Sequence, residues 1–260
     1  MQGRACPRCG CTRSWLIRRE KRRCAGCRYE WTPGHLPLRL TRSEWRRLLR
    51  WFVLGHSAAV IAREARLERK RVLRALLLLR ERLARQIPPV FSCIVEIDET
   101  YLGSWRNKRR PERAIGTKRG RGTSKQPIFG ILCRGGLVWA ELVPNIRART
   151  VLPFVDQRVA PGSVVWTDSM TSFSGKYTGL ATRGYIHRII NHKKQFSDSH
   201  GGHINGLEGF WGYLKRQLMA KGGIRHERLH LYLAEYVWRY NQRKLSPTEK
   251  VKALLTLLQT

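Results

Sequence analysis

Apolar residues recur at three- and four-residue intervals between Thr41 and Arg85, which predicts helices. Trp45, Leu48, Leu49 and Phe52 form the inward face of a first helix that Thr41 or Ser43 can cap. Gly55 breaks it, and Ser57 can cap a short second helix carrying Ile61, Ala62 and Ala65. In a third helix Val72, Leu76, Leu79 and Leu83 face inward, with Arg69, Lys70, Arg71, Arg74 and Arg80 largely outward. Three helices with a tight Gly-containing turn and a basic last helix fit a helix-turn-helix module. Pro88-Pro89 ends this region and marks a domain boundary.

Beyond the prolines the period shortens. Phe91 to Leu102, Pro127 to Arg134 and Leu137 to Val143 read as strands, the last two joined by a Gly135-Gly136 hairpin turn. A helix over Arg147 to Arg158, a strand over Ser163 to Thr167, a short helical or turn region around Thr171 to Tyr177 and a strand over Tyr185 to Asn191 follow. The chain closes with helices near Ile204 to Met219, His226 to Arg243 and Thr248 to Leu258, the last opened by Ser246-Pro247. This order predicts an α/β fold with a mixed sheet. The expected domains are residues 1–34, 35–88 and 89–260, the last including the C-terminal helices.

Composition narrows the partners. The chain has 260 residues, 51 Lys and Arg against 18 Asp and Glu, a formal charge of +33, 42% apolar residues and nine Trp. A folded protein so basic repels itself, and basic residues spread along its whole length point to nucleic acid as the polyanionic partner. No apolar run approaches the length of a membrane span, and the Cys- and Arg-rich start lacks an apolar signal region, so a cytoplasmic location is expected. Trp105 to Lys125 is rich in Lys and Arg with little apolar periodicity and reads as a basic loop.

Four of the seven cysteines form two pairs, Cys6-x2-Cys9 and Cys24-x2-Cys27, spaced for a tetrahedral zinc site in a ribbon that ends near Pro33-Gly34. Gly10 and Gly26 sit within or beside the pairs, where a tight turn benefits from a missing side chain. Cys11 competes with Cys9 as a ligand on spacing alone. Cys93 and Cys133 lie in apolar runs and read as small buried hydrophobes.

Three acids then stand out against the basic background. Asp98 and Asp168 end β-branched apolar runs, and Glu208 lies on an amphipathic helix. Alternation puts Asp98 on the same strand face as Glu96 and opposite Glu99. Asp168 falls just past the carboxyl end of its strand, where ligand sites gather in open α/β sheets. On the helix, Leu207, Phe210, Trp211, Leu214 and Leu218 form a buried stripe, with Asn205, Glu208, Gly212 and Lys215 along its flank. Laying that stripe on the sheet lowers Glu208 toward the strand ends, and Gly212 leaves room for a phosphate to approach. Carboxylates so placed suit Mg²⁺ (or Mn²⁺), and a pair of ions can act on a phosphodiester. Lys215 then meets a DNA phosphate or base near the scissile bond.

Glu96-Ile97-Asp98-Glu99-Thr100-Tyr101, Trp166-Thr167-Asp168-Ser169, the Asn-His-Lys-Lys-Gln-Phe run at 191–196, the run from His203 to Arg216 and the helix at 231–243 resemble the DDE transposases of bacterial insertion sequences. The nearest group is the zinc-ribbon-bearing one numbered fifteen-ninety-five (ISXO-two-like), related to the Merlin elements. The resemblance implies an RNase H-like fold, Mg²⁺-dependent strand cleavage and strand transfer, recognition of terminal inverted repeats, a dimer or larger assembly on DNA, and a bacterial, nucleoid-associated setting. Asp98 and Asp168 match the first two acids and Lys215 the later basic residue; the third position is irregular in this group, and both Asn205 and Glu208 are available, with Glu208 favoured as the better Mg²⁺ ligand. His192, His200 and His203 lie near that position, as loop histidines or with a direct role. A non-catalytic DNA-binding regulator and a structure-specific nuclease of the same fold are the alternatives.

Overall fold

The computed structural model describes residues 5–6, 8–18, 21–32, 36–92, 94–103, 125–168, 177–190 and 205–259. Pro33-Gly34, Cys93, most of the basic segment, the region from Thr171, and His192, His200 and His203 lie outside the described residues. The chain forms two compact units: residues 1–82 with 244–260, and residues 83–243.

The first unit opens with a three-stranded antiparallel sheet of β1 (Ser14–Leu16), β2 (Arg22–Cys24) and β3 (Glu30–Trp31). Helices α1 (Arg42–Val53), α2 (Ala58–Ala65) and α3 (Arg69–Ala84) follow. Thr41 and Glu44 form a reciprocal capping box at the start of α1, and Ser57 caps α2. Trp45, Leu48, Leu49 and Phe52 are buried, as are Val72, Leu76, Leu79 and Leu83, so the helical periodicity identifies both faces correctly. Arg66 ends α2 in the left-handed region (φ 55°), a position where glycine is less strained.

The C-terminal helix departs from expectation. A helix over Pro247–Gln259 packs on α1, not with the sheet, and Arg82 Nη1 donates to Leu257 O at 3.1 Å. Ser246 and Glu249 cap its start reciprocally. Its buried Leu254, Leu255 and Leu258 show an amphipathic pattern that any apolar face could accept, so sequence order alone assigned it to the neighbouring domain.

The second unit is built on a five-stranded mixed sheet in the order β6-β5-β4-β7-β8, made of β4 (Val95–Leu102), β5 (Gln126–Cys133), β6 (Val138–Leu142), β7 (Val164–Asp168) and β8 (Ile186–Ile190). The β4, β5 and β6 pairs are antiparallel, whereas β7 runs parallel to both β4 and β8. Phe91 does not extend β4. It forms an isolated parallel bridge with Val159. Residues Thr178–Arg183 form a 3₁₀ turn just beyond the expected helical stretch.

Each sheet face has its own core. One face packs Val95, Ile97, Phe129, Ile131 and Val165 on Val151, Leu152 and Val155 of α4 (Ala148–Arg158). The other packs Leu102, Ile128, Leu132 and Trp166 on Leu207, Phe210, Trp211, Leu214 and Leu218 of α5 (Asn205–Met219), backed by Leu229, Leu233 and Tyr236 of α6 (Leu229–Asn241). The Asn241 side-chain amide pairs with both the N–H and the C=O of Val138, closing the exposed edge of β6 as a further strand would. Cys133 is half-buried and disulfide-bonded, not a free small hydrophobe. Among the described residues no helix is long and apolar enough to cross a membrane.

Candidate functional sites

Asp98 stands in the middle of β4 rather than at a strand end, and the parallel register explains how it and Asp168, the last residue of β7, come to lie on neighbouring strands. Val95 pairs with Val165 and Glu96 with Trp166. Two residues further along both strands stand Asp98 and Asp168, on the same sheet face because the side-chain period is two. That face is the one covered by α5. Asp98 is half-buried and paired with Gly130 of β5 on its other side.

Gly130 has a specific task. A Cβ there would lie 2.6 Å from two ring carbons of Trp211, so only a bare backbone lets that ring cross β5. The indole Nε1–H then donates to Asp98 Oδ2 at 3.0 Å. Trp211 thus fills the buried stripe and orients a site carboxylate, a role that helical periodicity does not reveal. Gly130→Ala is expected to displace the ring and lower the unfolding free energy of this unit by about 1–3 kcal/mol. Denaturant unfolding followed by tryptophan fluorescence measures this, and wild-type stability would show that the ring has room to spare.

Burial raises the Asp98 carboxyl to about 7, assisted by the negative charges of Glu99 and Glu208 and opposed by hydrogen bonds from the Glu99 backbone and Trp211. A cluster of this kind favours a cation. Glu208 is exposed on the first turn of α5, and its charge reaches Asp98. Lys215, two turns further on, is lowered by desolvation, raised by the charge of Asp98 and lowered again by Lys125. Asn205 is exposed as the first residue of α5. Gly206, not Gly212, is the closely packed glycine of this helix: a Cβ on Gly206 would lie 3.0 Å from Glu96 Oε2, whereas one on Gly212 would meet only the flexible Arg216 guanidinium at 3.3 Å.

The second constellation is the cysteine cluster of the first unit. The sulfurs of Cys6, Cys9, Cys24 and Cys27 all lie within 4.8 Å of one another. Cys6 and Cys27 are 3.6 Å apart and Cys9 and Cys24 are 3.4 Å apart. Four sulfurs about 2.3 Å from a shared tetrahedral zinc would stand about 3.8 Å apart, so the set fits. Cys11 is outside the cluster, its Sγ directed to Arg13 O at 3.7 Å. The backbone N–H of Cys27 helps lower the Cys24 thiol to about 6, against the effect of burial, with Cys9 and Gly26 also lowering it. The two knuckles are alike: Gly10 follows the first pair with φ 76°, and Arg28 takes the same place after the second with φ 56°. Gly26, singled out by sequence, is not the strained residue.

At the start of α3, Leu38, Glu68, Lys70, Arg71 and Arg74 line a shallow depression. Arg69, Lys70 and Arg74 are exposed. Arg71 is half-buried and donates to Arg39 O at 2.7 Å and Leu38 O at 3.3 Å, so it also holds the chain before α1.

Residues 91–241, more than half of the chain, match the family described as the ISXO2-like transposase domain. A protein of Haemophilus influenzae described as an uncharacterized transposase-like protein is 37% identical over 108 residues, covering 42% of this chain and 84% of that relative. The matched region spans the five-stranded sheet, α4, α5 and α6.

Proposed function

We propose that this chain, which belongs to the ISXO2-like transposase family, cuts and joins DNA phosphodiester bonds at a divalent-metal site formed by Asp98, Asp168 and Glu208. The observation that carries this reading is the parallel β4–β7 register, with Asp98 and Asp168 on the sheet face that α5 covers. Three antiparallel strands followed by two parallel ones, in the order β6-β5-β4-β7-β8, support an RNase H-like fold.

The hard carboxylate oxygens fit Mg²⁺ or Mn²⁺, which when bound supplies Lewis-acid stabilisation of a pentavalent phosphate and an activated water or 3′-hydroxyl. Asp98 is pre-oriented for this by Trp211. Glu208 is preferred to Asn205 as the third ligand because it brings a charge that already acts on Asp98. Lys215 neutralises a DNA phosphate beside the scissile bond. In the first unit, Cys6, Cys9, Cys24 and Cys27 hold a structural zinc in a ribbon, and α2 and α3 act as a helix-turn-helix whose Arg69, Lys70, Arg71 and Arg74 approach the phosphate backbone. Terminal inverted repeats on double-stranded DNA are the substrate, engaged by a dimer or larger assembly in the bacterial cytoplasm.

The test uses the zinc-loaded full chain with DNA carrying its element's inverted repeats and a target plasmid. Cutting at the repeat ends and joining of the 3′ ends to the plasmid are expected with Mg²⁺ or Mn²⁺ and are lost with EDTA. Repeat binding without cutting under any metal would instead identify a non-catalytic DNA-binding protein, and cutting without joining a nuclease.

A further inference from the structure

Glu96 is fully buried, yet it takes no part in the metal set above. Its Oε2 accepts the backbone N–H of Leu207 at 2.9 Å, and its Oε1 accepts from Arg134 Nε at 3.2 Å. A helix's first turn presents N–H groups with no intrahelical partner, and a carboxylate there satisfies one while meeting the positive end of the helix dipole. The contact is close enough that a side chain at 206 would press on it: a Cβ there would lie 3.0 Å from Oε2 and 3.1 Å from Leu132 Cδ2, so the neighbours would have to give by a few tenths of an ångström. On the other side, the Arg134 guanidinium lies 5.2 Å from the centre of the Trp166 ring, and Trp166 precedes Asp168 by two residues.

Two acids on one face of β4 thus hold α5 at two points. Glu96 takes Leu207, and Asp98 takes Trp211. Glu208 follows Leu207 directly and lies between the two anchors. We propose that Glu96 is a positioning residue, fixing the helix that carries Glu208, and through Arg134 and Trp166 the strand that carries Asp168, relative to Asp98. The assignment rests on the metal-site reading of those three acids. A buried ion pair kept only for stability would leave metal affinity unchanged when altered without unfolding.

The test measures Mn²⁺ binding to the zinc-saturated full chain without DNA, by loss of the free Mn²⁺ electron paramagnetic resonance signal, alongside thermal unfolding. Glu96→Gln keeps an oxygen for Leu207 but loses the charge opposite Arg134. Gly206→Ala pushes the first turn of α5 away from Glu96 while favouring helix. Each variant is expected to fold and to raise the Mn²⁺ dissociation constant about tenfold, as loss of an outer partner of metal ligands typically does. Combined with Glu208→Gln, Glu96→Gln should weaken binding by less than it does alone, because only the part of its effect that passes through Arg134 and Trp166 to the Asp168 strand remains. Wild-type affinity in either folded variant, or full additivity with Glu208→Gln, overturns the proposal. A wild-type chain that binds no Mn²⁺ overturns the metal-site reading itself.

Discussion

Asp98→Asn and Asp168→Asn should each slow Mg²⁺-dependent cleavage by about 10³-fold or more, equivalent to at least about 4 kcal/mol of transition-state stabilisation. Asparagine keeps the size of the side chain and an oxygen that can accept from Trp211, so the loss would report the missing charge. For Asp98 the same variant carries its own control for folding. The carboxyl has a pKa of about 7 in the folded chain, mainly through burial, against about 3.9 when unfolded. Between those values the unfolded chain loses the proton that the folded chain keeps, so the metal-free fold loses stability as pH rises from about 4 to 7, and the full penalty persists above. Asp98→Asn removes it. The metal-free variant should therefore melt higher than wild type at pH 8, and the difference should vanish near pH 4. Each 1 kcal/mol regained corresponds to roughly 2–4 °C in a unit of this size. Single-turnover cleavage and calorimetry at the two pH values measure both effects. Cleavage at the wild-type rate in Asp168→Asn would sink the proposed site.

Cys24→Ser should remove the metal from the N-terminal ribbon and unfold it. The ribbon has strands of three, three and two residues, with Trp15 47% and Leu16 66% exposed, so little apolar burial is available to hold it. Zinc binding by four thiolates contributes roughly 10–16 kcal/mol in comparable small folds, far more than such a core can. Metal analysis should fall from about one zinc per chain to near none, and limited proteolysis should cut within residues 8–32 first. Cys11→Ser should retain its zinc, because Cys11 lies outside the sulfur cluster. Full zinc content in Cys24→Ser would exclude the proposed ligand set.

The helices of the first unit were legible because their signals act within a turn. Thr41 reaches Glu44, Ser57 reaches Val60, and Leu48 and Leu49 follow Trp45 at helical spacing. The strands were legible for the same reason, and the face shared by Glu96 and Asp98 followed from alternation alone. Partners across the sheet were not. Nothing near Gly130 announces that Trp211, eighty-one positions away, will need its missing side chain. Glu96 likewise looked like an ordinary strand acid until the first turn of α5 came to rest on it. The C-terminal helix shows the limit most plainly, since an amphipathic face specifies burial but not the surface that buries it.

The sequence by itself determined the order of elements, the helical faces, the two cysteine pairs and the three acids worth examining. Periodicity, caps and thiolate spacing are short-range constraints, and residues a few positions apart impose them on one another. Only the tertiary structure decided that Cys9 and not Cys11 joins the sulfur cluster, and that Asp98, in the middle of β4, and Asp168, at the end of β7, lie on neighbouring parallel strands. It also decided that Trp211 and Glu96 tie the helix of Glu208 to the strand of Asp98. Those outcomes depend on strand register and on one close approach across β5, which are settled by packing summed over the whole unit.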